Sequence, residues 1–449
     1  MKLNLNNELY VEHLREMCKF PTVSSADPEK TRVKDFMDLQ AYLEKAYPNV
    51  HKTMTKEIIG KAGLLFHWKG TGKSDKLPVL VMAHQDVVPE GDLSAWKYPP
   101  YEGHIDEEGI LWARGCTDCK NVMQAELDAL ELLISEGFVP DFDIYAAFGY
   151  NEEIMGGPGA ACRIIVDELK ARNVQVGLVI DEGAGVKEIN GSLVASVCTC
   201  EKGYADHEFY VEDAGGHAAM PPKHNSLGKL GYYMWQLEEH PMEPVLCQPV
   251  IDMMKAQAEF TPGHLGELFK DPEANWEELK KICSEQKNLN TLIRTTTTPT
   301  MAKGSDQANI LPERASIITN SRLLPGQTLD DLMAHFRSVL PEEVNIRLVK
   351  GHNPPMVSTT DSYAYRLITG VTAEMHPGVK FVPTMVYGGT DSRYYTEICP
   401  TESVYRYSGG LASEKSGGAH QVNEHVDTST LASHVEFFAR VFLGYADAK

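Results

Sequence analysis

Five short clusters carry the residue types that bind cations and move protons. Ala83-His84-Gln85-Asp86 offers His84 as a metal ligand, and Asp86, two residues on, can accept the other ring N–H, which fixes the tautomer and raises ligand basicity. Arg114-Gly115-Cys116-Thr117-Asp118-Cys119-Lys120 puts Asp118 in a tight loop ahead of an amphipathic segment, where helix N–H groups favour negative charge. There it could bridge two cations or simply cap the helix. Cys116-x-x-Cys119 is a rival redox or zinc pair, but no second CxxC occurs and Cys198 and Cys200 form only CxC, a weak basis for structural zinc. Asn151-Glu152-Glu153 sets two acids side by side at an electrostatic cost. Its chemical reading gives one carboxylate a cation and the other the proton of a bound water. Asp181-Glu182-Gly183 and Gly418-Ala419-His420 complete the set, with His425 a competing ligand just beyond Asn423-Glu424. Each cluster has a plain counterpart: a capped loop histidine, a surface acid pair, a polar loop. Hard oxygens plus two histidines, with no thiolate required, suit a two-zinc hydrolytic site.

Stepping along the chain shows what must hold these groups. Residues 1–20 suggest a short helix. The run from Pro78 to Met82 predicts a buried strand with its proline at the first position. Met123, Leu127, Leu130 and Ile134 form a helical stripe over 121–136, with Gly137 as a stop signal. Strands are expected at 143–148 and 176–180, with a helix near 160–172 between them. Strands alternating with helices predict an α/β domain with a mixed, mostly parallel sheet flanked by helices. Functional groups in such sheets gather beyond the carboxyl ends of the strands, and three of the clusters fall there. The pattern changes near Glu201: 207–211 alternates, 227–237 reads as helix, the TTTTP run at 295–299 reads as a loop, and 315–324 alternates into Pro325-Gly326. A strand is expected at 344–349. The expectation is therefore a split catalytic domain, 1–200 and 351–449, around an inserted α+β domain, 201–350.

The chain has 449 residues, ample for two domains. With 43% hydrophobic and 23% charged residues, disorder is not its main state. The net charge of −21 disfavours nucleic-acid binding, and no apolar run approaches the roughly 20 residues of a membrane span. No secretory signal is visible, and nine cysteines cannot all pair with one another, so a reduced, cytoplasmic protein is expected. Neither GxGxxG after a strand nor GxxxxGK[ST] occurs, which disfavours dinucleotide- and ATP-dependent enzymes.

Taken in order, VLVMAHQDVVPEGDLSAWKYPPYEGHIDEEGILWARGCTDCKN, AAFGYNEEIMGG and LVIDEGAG resemble the metallopeptidase family of aminoacylase-1, succinyl-diaminopimelate desuccinylase, glutamate carboxypeptidase and carboxypeptidase S. WKYPPYEG, DEG and VYRYSGG are most similar to the carboxypeptidase S branch. The resemblance implies two Zn²⁺ per subunit, with cobalt or manganese as substitutes. It implies that Asp118 bridges them, that His84 and Asp181 complete one site, and that Glu153 and His420 complete the other. Asp181 is preferred because it leaves the strand first; Glu182 is the fallback. Glu152 would be the general base, Asp86 would orient His84, and the Asp118–Cys119 peptide would be cis.

The inserted domain resembles the family's lid, which makes a homodimer. His217 in GGHAAMP would stabilise the oxyanion in the partner's site. Asn309 and Arg322 would contact substrate, Arg322 at its carboxylate, and Gly389 and Thr390 would lie near the substrate tail. The implied reaction is cleavage of the amide next to a free carboxylate in a short peptide, by a carboxypeptidase or dipeptidase. The alternatives are an N-acyl-amino-acid deacylase and, more remotely, a non-catalytic peptide-binding homologue. Ala113, Asn121 and Asn151 depart from residues common in the family; none is an expected ligand.

Overall fold

Alternation decides which side of each central strand meets which layer. Val79, Val81 and Ala83 point into one core and Leu80 and Met82 into another. In the computed structural model, which describes residues 2–154 and 159–448, these residues lie on strand Val79–His84 of an eight-stranded sheet. The sheet order is Thr55–Ile59, Gly63–Trp68, Ile144–Gly149, Val79–His84, Leu178–Ile189, Val404–Leu411, Ser192–Glu201, Lys380–Val386. The four central neighbours from Ile144–Gly149 to Val404–Leu411 run parallel, and antiparallel pairs lie outside them. The first core packs helices Lys120–Ser135 and Leu431–Gly444 on one face. The second packs helix Ala161–Ala171 on the other. The fold is thus α/β with a mixed, mostly parallel sheet flanked by helices. No helix among the described residues is long and apolar enough to cross a membrane. The last residues of AAFGYNEEIMGG, 155–157, lie outside the described residues, as do Met1 and Lys449.

Helix Lys120–Ser135 ends where Gly137 predicts. Gly137, at φ +80°, donates to the Ile134 carbonyl at 3.0 Å, and Phe138 donates to that of Leu133 at 2.9 Å. That pair of bonds closes the last turn and needs a left-handed residue at Gly137.

The chain divides into two units. Unit 1 comprises 1–199, 358–383 and 390–449; unit 2 comprises 200–357 and 384–389. Unit 2 holds a four-stranded antiparallel sheet in the order Thr296–Lys303, Arg314–Leu323, Gly203–Glu212, Asn345–His352. Helices Ser226–Glu239 and Leu329–Val339 share a core with it through Leu230, Met234, Leu332 and Phe336. Thr328 and Asp331 cap the second of these helices reciprocally. The TTTTP run is not a loop: four of its five residues open strand Thr296–Lys303. β-Branched threonines favour a pleated strand. Pro299 is tolerated because this strand is at the sheet edge and its register shifts between Pro299 and Met301.

Candidate metal centre

The parallel strands deliver the clusters to one edge of unit 1. His84 ends strand Val79–His84, Glu152 and Glu153 follow strand Ile144–Gly149, and Asp181 and Glu182 lie on Leu178–Ile189 just past its pairing with residues 79–81. Asp118 precedes helix Lys120–Ser135, whose N-cap residue is Cys119, and the Asp118–Cys119 peptide is cis. The Asp118 side chain does not cap that helix. Its Oδ1 lies 3.1 Å from His84 Nε2 and its Oδ2 lies 3.0 Å from His420 Nε2. His420 Nε2 is also 3.0 Å from Glu153 Oε2, and His84 Nε2 is 3.4 Å from Glu182 Oε1. Two groups of ligand atoms result: His84, Asp118, Cys119 and Glu182, and then Asp118, Glu153 and His420. Asp118 belongs to both.

The acid beside His84 is Glu182, not the preferred Asp181. Successive residues of an extended chain project to opposite faces. Asp181 is therefore turned away and buried, its carboxylate held by the Thr390 and Ser392 hydroxyls. Asp86 differs from expectation too. His84 Nδ1 is 2.8 Å from the Asp86 backbone carbonyl and 3.5 Å from Asp86 Oδ1. The buried Asp86 carboxylate accepts instead from Ser24 Oγ at 2.6 Å and from the amides of Glu152 and Glu153 at 3.1 Å each. It meets His84 through its backbone carbonyl and, at 3.5 Å, its carboxylate, and it holds the acid pair through that carboxylate. His425 is no ligand here; its ring stacks on Trp112 with centroids 4.6 Å apart. Cys116 and Cys119 are both free thiols. Cys119 Sγ accepts from the His84 amide at 3.2 Å, a placement beside the ligands that the CxxC pattern did not reveal.

Too many carboxylates share this edge for all of them to ionise unaided. Burial pushes Glu152 well above the usual carboxylate range, and Glu182, Asp391 and Glu153 add to it against the pull of His84. Burial likewise lifts Glu153 to about 8, and lifts Asp181 to about 7 with Glu182 adding. Burial acts upward on Asp118 as well, but the His420 and His84 imidazoles outweigh it and hold Asp118 low. Glu153 Oε1 and Asp181 Oδ2 are buried without a hydrogen-bond partner among the described residues. Two imidazoles, a carboxylate shared between them and the unpaired Glu153 oxygen fit divalent cations, whose charge relieves this crowding.

The other expected residues lie mostly in unit 2. His217 is exposed on the short strand Gly216–His217, paired with Ile310–Leu311. Its Nδ1 accepts from the Ala219 amide at 3.0 Å, which leaves the ring proton on Nε2. Asn309 is exposed, and its carbonyl accepts from the Ala218 amide at 3.0 Å. Arg322 lies over the Tyr204 ring at 4.7 Å and donates from Nε to Asn320 Oδ1 at 3.1 Å. Its Nη1 is buried with no partner among the described residues. Gly389 closes the 384–389 segment of unit 2, whereas Thr390 belongs to unit 1, buried against Ser392 Oγ at 2.6 Å.

Imidazoles and acids beyond the carboxyl ends of a mostly parallel sheet define a metal-dependent hydrolase. The family model for Peptidase family M20/M25/M40 matches residues 80–444, and the chain belongs to that family. Carboxypeptidase S of Saccharomyces cerevisiae is 30% identical, over 95% of this chain and 82% of the relative. The N-fatty-acyl-amino acid synthase/hydrolase PM20D1 of Xenopus tropicalis is also 30% identical, over 96% and 85%. Among solved structures, the M20 family metallo-carboxypeptidase Sso-CP2 from Sulfolobus solfataricus matches the fold with a TM-score of 0.72 at 18% identity, over 96% of this chain and 99% of that one.

Proposed function

We propose that this chain is a two-zinc carboxypeptidase or dipeptidase that hydrolyses the amide next to the free carboxylate of a short peptide. The observation that carries this reading is the Asp118 carboxylate, which spans His84 on one oxygen and His420 on the other. His84, Asp118 and Glu182 would hold one ion, and Asp118, Glu153 and His420 the second, with cobalt or manganese as substitutes. Bound there, such ions would supply Lewis acidity toward the scissile carbonyl and would bring the pKa of a water down from 15.7 toward about 7. Glu152 would take a proton from the attacking water and pass it to the leaving amine nitrogen. Its place, buried and directly beside the proposed ligand Glu153, supports this role. Asp86 orients His84 and the Glu152–Glu153 turn.

His217, from a second copy of the chain, would donate its Nε2 proton to the oxyanion, and Arg322 would pair with the substrate carboxylate through its free Nη1. Asn309 and Gly389 would line the substrate. Thr390 is read less as a substrate contact than as a support for Asp181. A homodimer through unit 2 is supported by the edge strand Thr296–Lys303 and by the exposed Leu227, Tyr232 and Trp235 on helix Ser226–Glu239. Nine free cysteines support a cytoplasmic location.

The likeness to an N-fatty-acyl-amino acid synthase/hydrolase favours a second reading, an N-acyl-amino-acid deacylase. The two are separated by incubating the zinc-loaded protein with a mixed library of dipeptides and N-acyl amino acids and identifying products by mass spectrometry. Free amino acids from dipeptides are expected; products from acylated substrates alone would replace the first reading by the second. On the substrate so found, Glu152→Gln should lower kcat by about 10²–10⁴-fold at unchanged metal content. Wild-type turnover in that variant would remove Glu152 as the base.

A further inference from the structure

Glu424 lies four residues beyond His420, and its side chain is fully buried. It belongs to neither group of metal-ligand atoms among the described residues. Its carboxylate is directed at the loop that ends in Asp118. Oε2 accepts from Arg114 Nη1 at 2.8 Å and from the Gly115 amide at 2.9 Å. Oε1 accepts from the Thr117 amide at 2.8 Å, the Thr117 hydroxyl at 2.7 Å and the Asp118 amide at 3.2 Å. Five donors therefore converge on one side chain, four of them within the four residues that end in Asp118.

The backbone on either side of Glu424 is equally fixed. The Ala113 amide donates to the Glu424 carbonyl at 3.1 Å, and His425 pairs with Trp112 across an antiparallel ladder. Asn423 accepts from the Lys97 amide at 2.5 Å and donates to the Ala95 carbonyl at 3.1 Å. The return from His420 also depends on Gly418. At φ +82° it occupies a conformation that L residues avoid, and a Cβ there would lie 2.9 Å from Glu424 Cα. Arg114, buried beside Glu424, supplies the counter-charge, and its Nη2 reaches the Pro89 carbonyl at 3.3 Å.

We infer that Glu424 is a positioning residue that sets the Asp118 carboxylate against His420, because one short segment carries the histidine and also grips the backbone of the loop that bears the shared aspartate. The inference rests on the two-metal reading of this edge. A charge-assisted bond to a backbone amide is directional, so three of them from Gly115, Thr117 and Asp118 hold that loop in a single conformation. Both proposed ion sites use Asp118, so a displaced loop would weaken both. A role limited to the buried Arg114–Glu424 pair would instead affect folding and leave metal affinity alone.

Glu424→Gln tests the difference, since the amide keeps the volume but turns an NH₂ toward donors. The full-length protein, stripped of metal, is titrated with Zn²⁺ against a chromophoric chelator, and the melting temperature of the metal-free form is recorded alongside. Wild type should bind two zinc ions. Glu424→Gln should bind them about 10–100-fold more weakly, with kcat falling in step and KM within about twofold. Thr117→Val, which removes a single bond, should shift zinc affinity in the same direction by less, and it decides the matter if Glu424→Gln does not fold. Phe437→Leu, a core change in helix Leu431–Gly444, should lower the melting temperature without moving zinc affinity. Zinc affinities within twofold of wild type in Glu424→Gln and Thr117→Val would overturn the inference. A wild-type protein that takes up no zinc would overturn the metal reading itself, and this inference with it.

Discussion

The sheet edge of unit 1 and the candidate substrate-contacting residues of unit 2 solve opposite problems. In unit 1 several groups at and around the candidate centre are held by others. Asp86 accepts three hydrogen bonds, Glu424 accepts five, and His84 is fixed from its backbone amide and from Nδ1. In unit 2 the candidate groups keep open valences among the described residues: Nε2 of an exposed His217, the side chain of an exposed Asn309, one buried arm of Arg322. Groups that must keep a fixed mutual geometry are over-determined by hydrogen bonds. Groups that meet a changing ligand are left with a donor unspent. Substitutions in unit 1 should therefore act on metal content and kcat, and those in unit 2 on rate or KM at constant metal content.

Asp118→Asn should have the largest effect. The amide offers one oxygen where the carboxylate offers two, so at least one ion should be lost. Turnover should fall by about 10³-fold or more, because a bound ion supplies several kcal/mol and each 1.4 kcal/mol is tenfold. Metal analysis with steady-state kinetics checks this, and chelation of the wild type followed by zinc addition should reproduce the loss and its recovery. Full metal content in Asp118→Asn would break the contrast from the unit 1 side.

His217→Ala comes next. Removal of one oxyanion donor should lower kcat by about 10²–10³-fold, with zinc content and KM nearly unchanged. If the metal content fell as well, the histidine would belong with the ligands, and the division between the units would fail.

Arg322→Met should be smaller and of a different kind. A charge-assisted hydrogen bond contributes about 1.5–3 kcal/mol, so kcat/KM for a free-carboxylate substrate should fall roughly 10–150-fold. Against the matching C-terminal amide the variant and the wild type should differ little. An equal loss on both substrates would assign Arg322 to folding.

The central strands and the 120–135 helix with its Gly137 stop were legible in the sequence, because burial and periodicity write themselves into local pattern, whereas the proposed ligand clusters stood out by residue type and by the family resemblance. Three things were not legible. Asp181 and Glu182 are adjacent, and only the phase of the pleat says which faces His84; the strand also continues beyond both acids, which hides where it stops pairing. The TTTTP run looks like a loop because its proline is tolerated only by an edge position that no local pattern announces. The Asp86 and Glu424 carboxylates act largely on backbone amides 66 to 309 residues away, and amides carry no side-chain signature to read.

The remaining prediction concerns stability rather than turnover, and it asks whether unit 2 also tolerates unmet electrostatics in its interior. Lys202 is buried there, its Nζ donating to Thr291 Oγ1 at 3.2 Å and to the Arg294 carbonyl at 2.8 Å, with no carboxylate among these partners. Burial lowers its pKa to about 7, with Arg322 adding to the shift and Cys247 opposing it. An unfolded lysine titrates near 10.4. Between about pH 7 and 10 the unfolded chain therefore holds a proton that the native chain has released, so stability rises with pH across that window, by up to about 1.4 kcal/mol per unit. Below pH 7 both states are charged and the penalty is complete. Lys202→Met should remove this slope, and its advantage over wild type should be greatest at pH 6–7 and shrink toward pH 10. The unpaired Arg294 carbonyl works against the variant by about 1–3 kcal/mol at every pH, so the informative quantity is the difference in melting temperature as a function of pH rather than its sign at one value. A difference that stays constant from pH 6 to 10 would show that Lys202 keeps its charge in the fold and that unit 2 satisfies it.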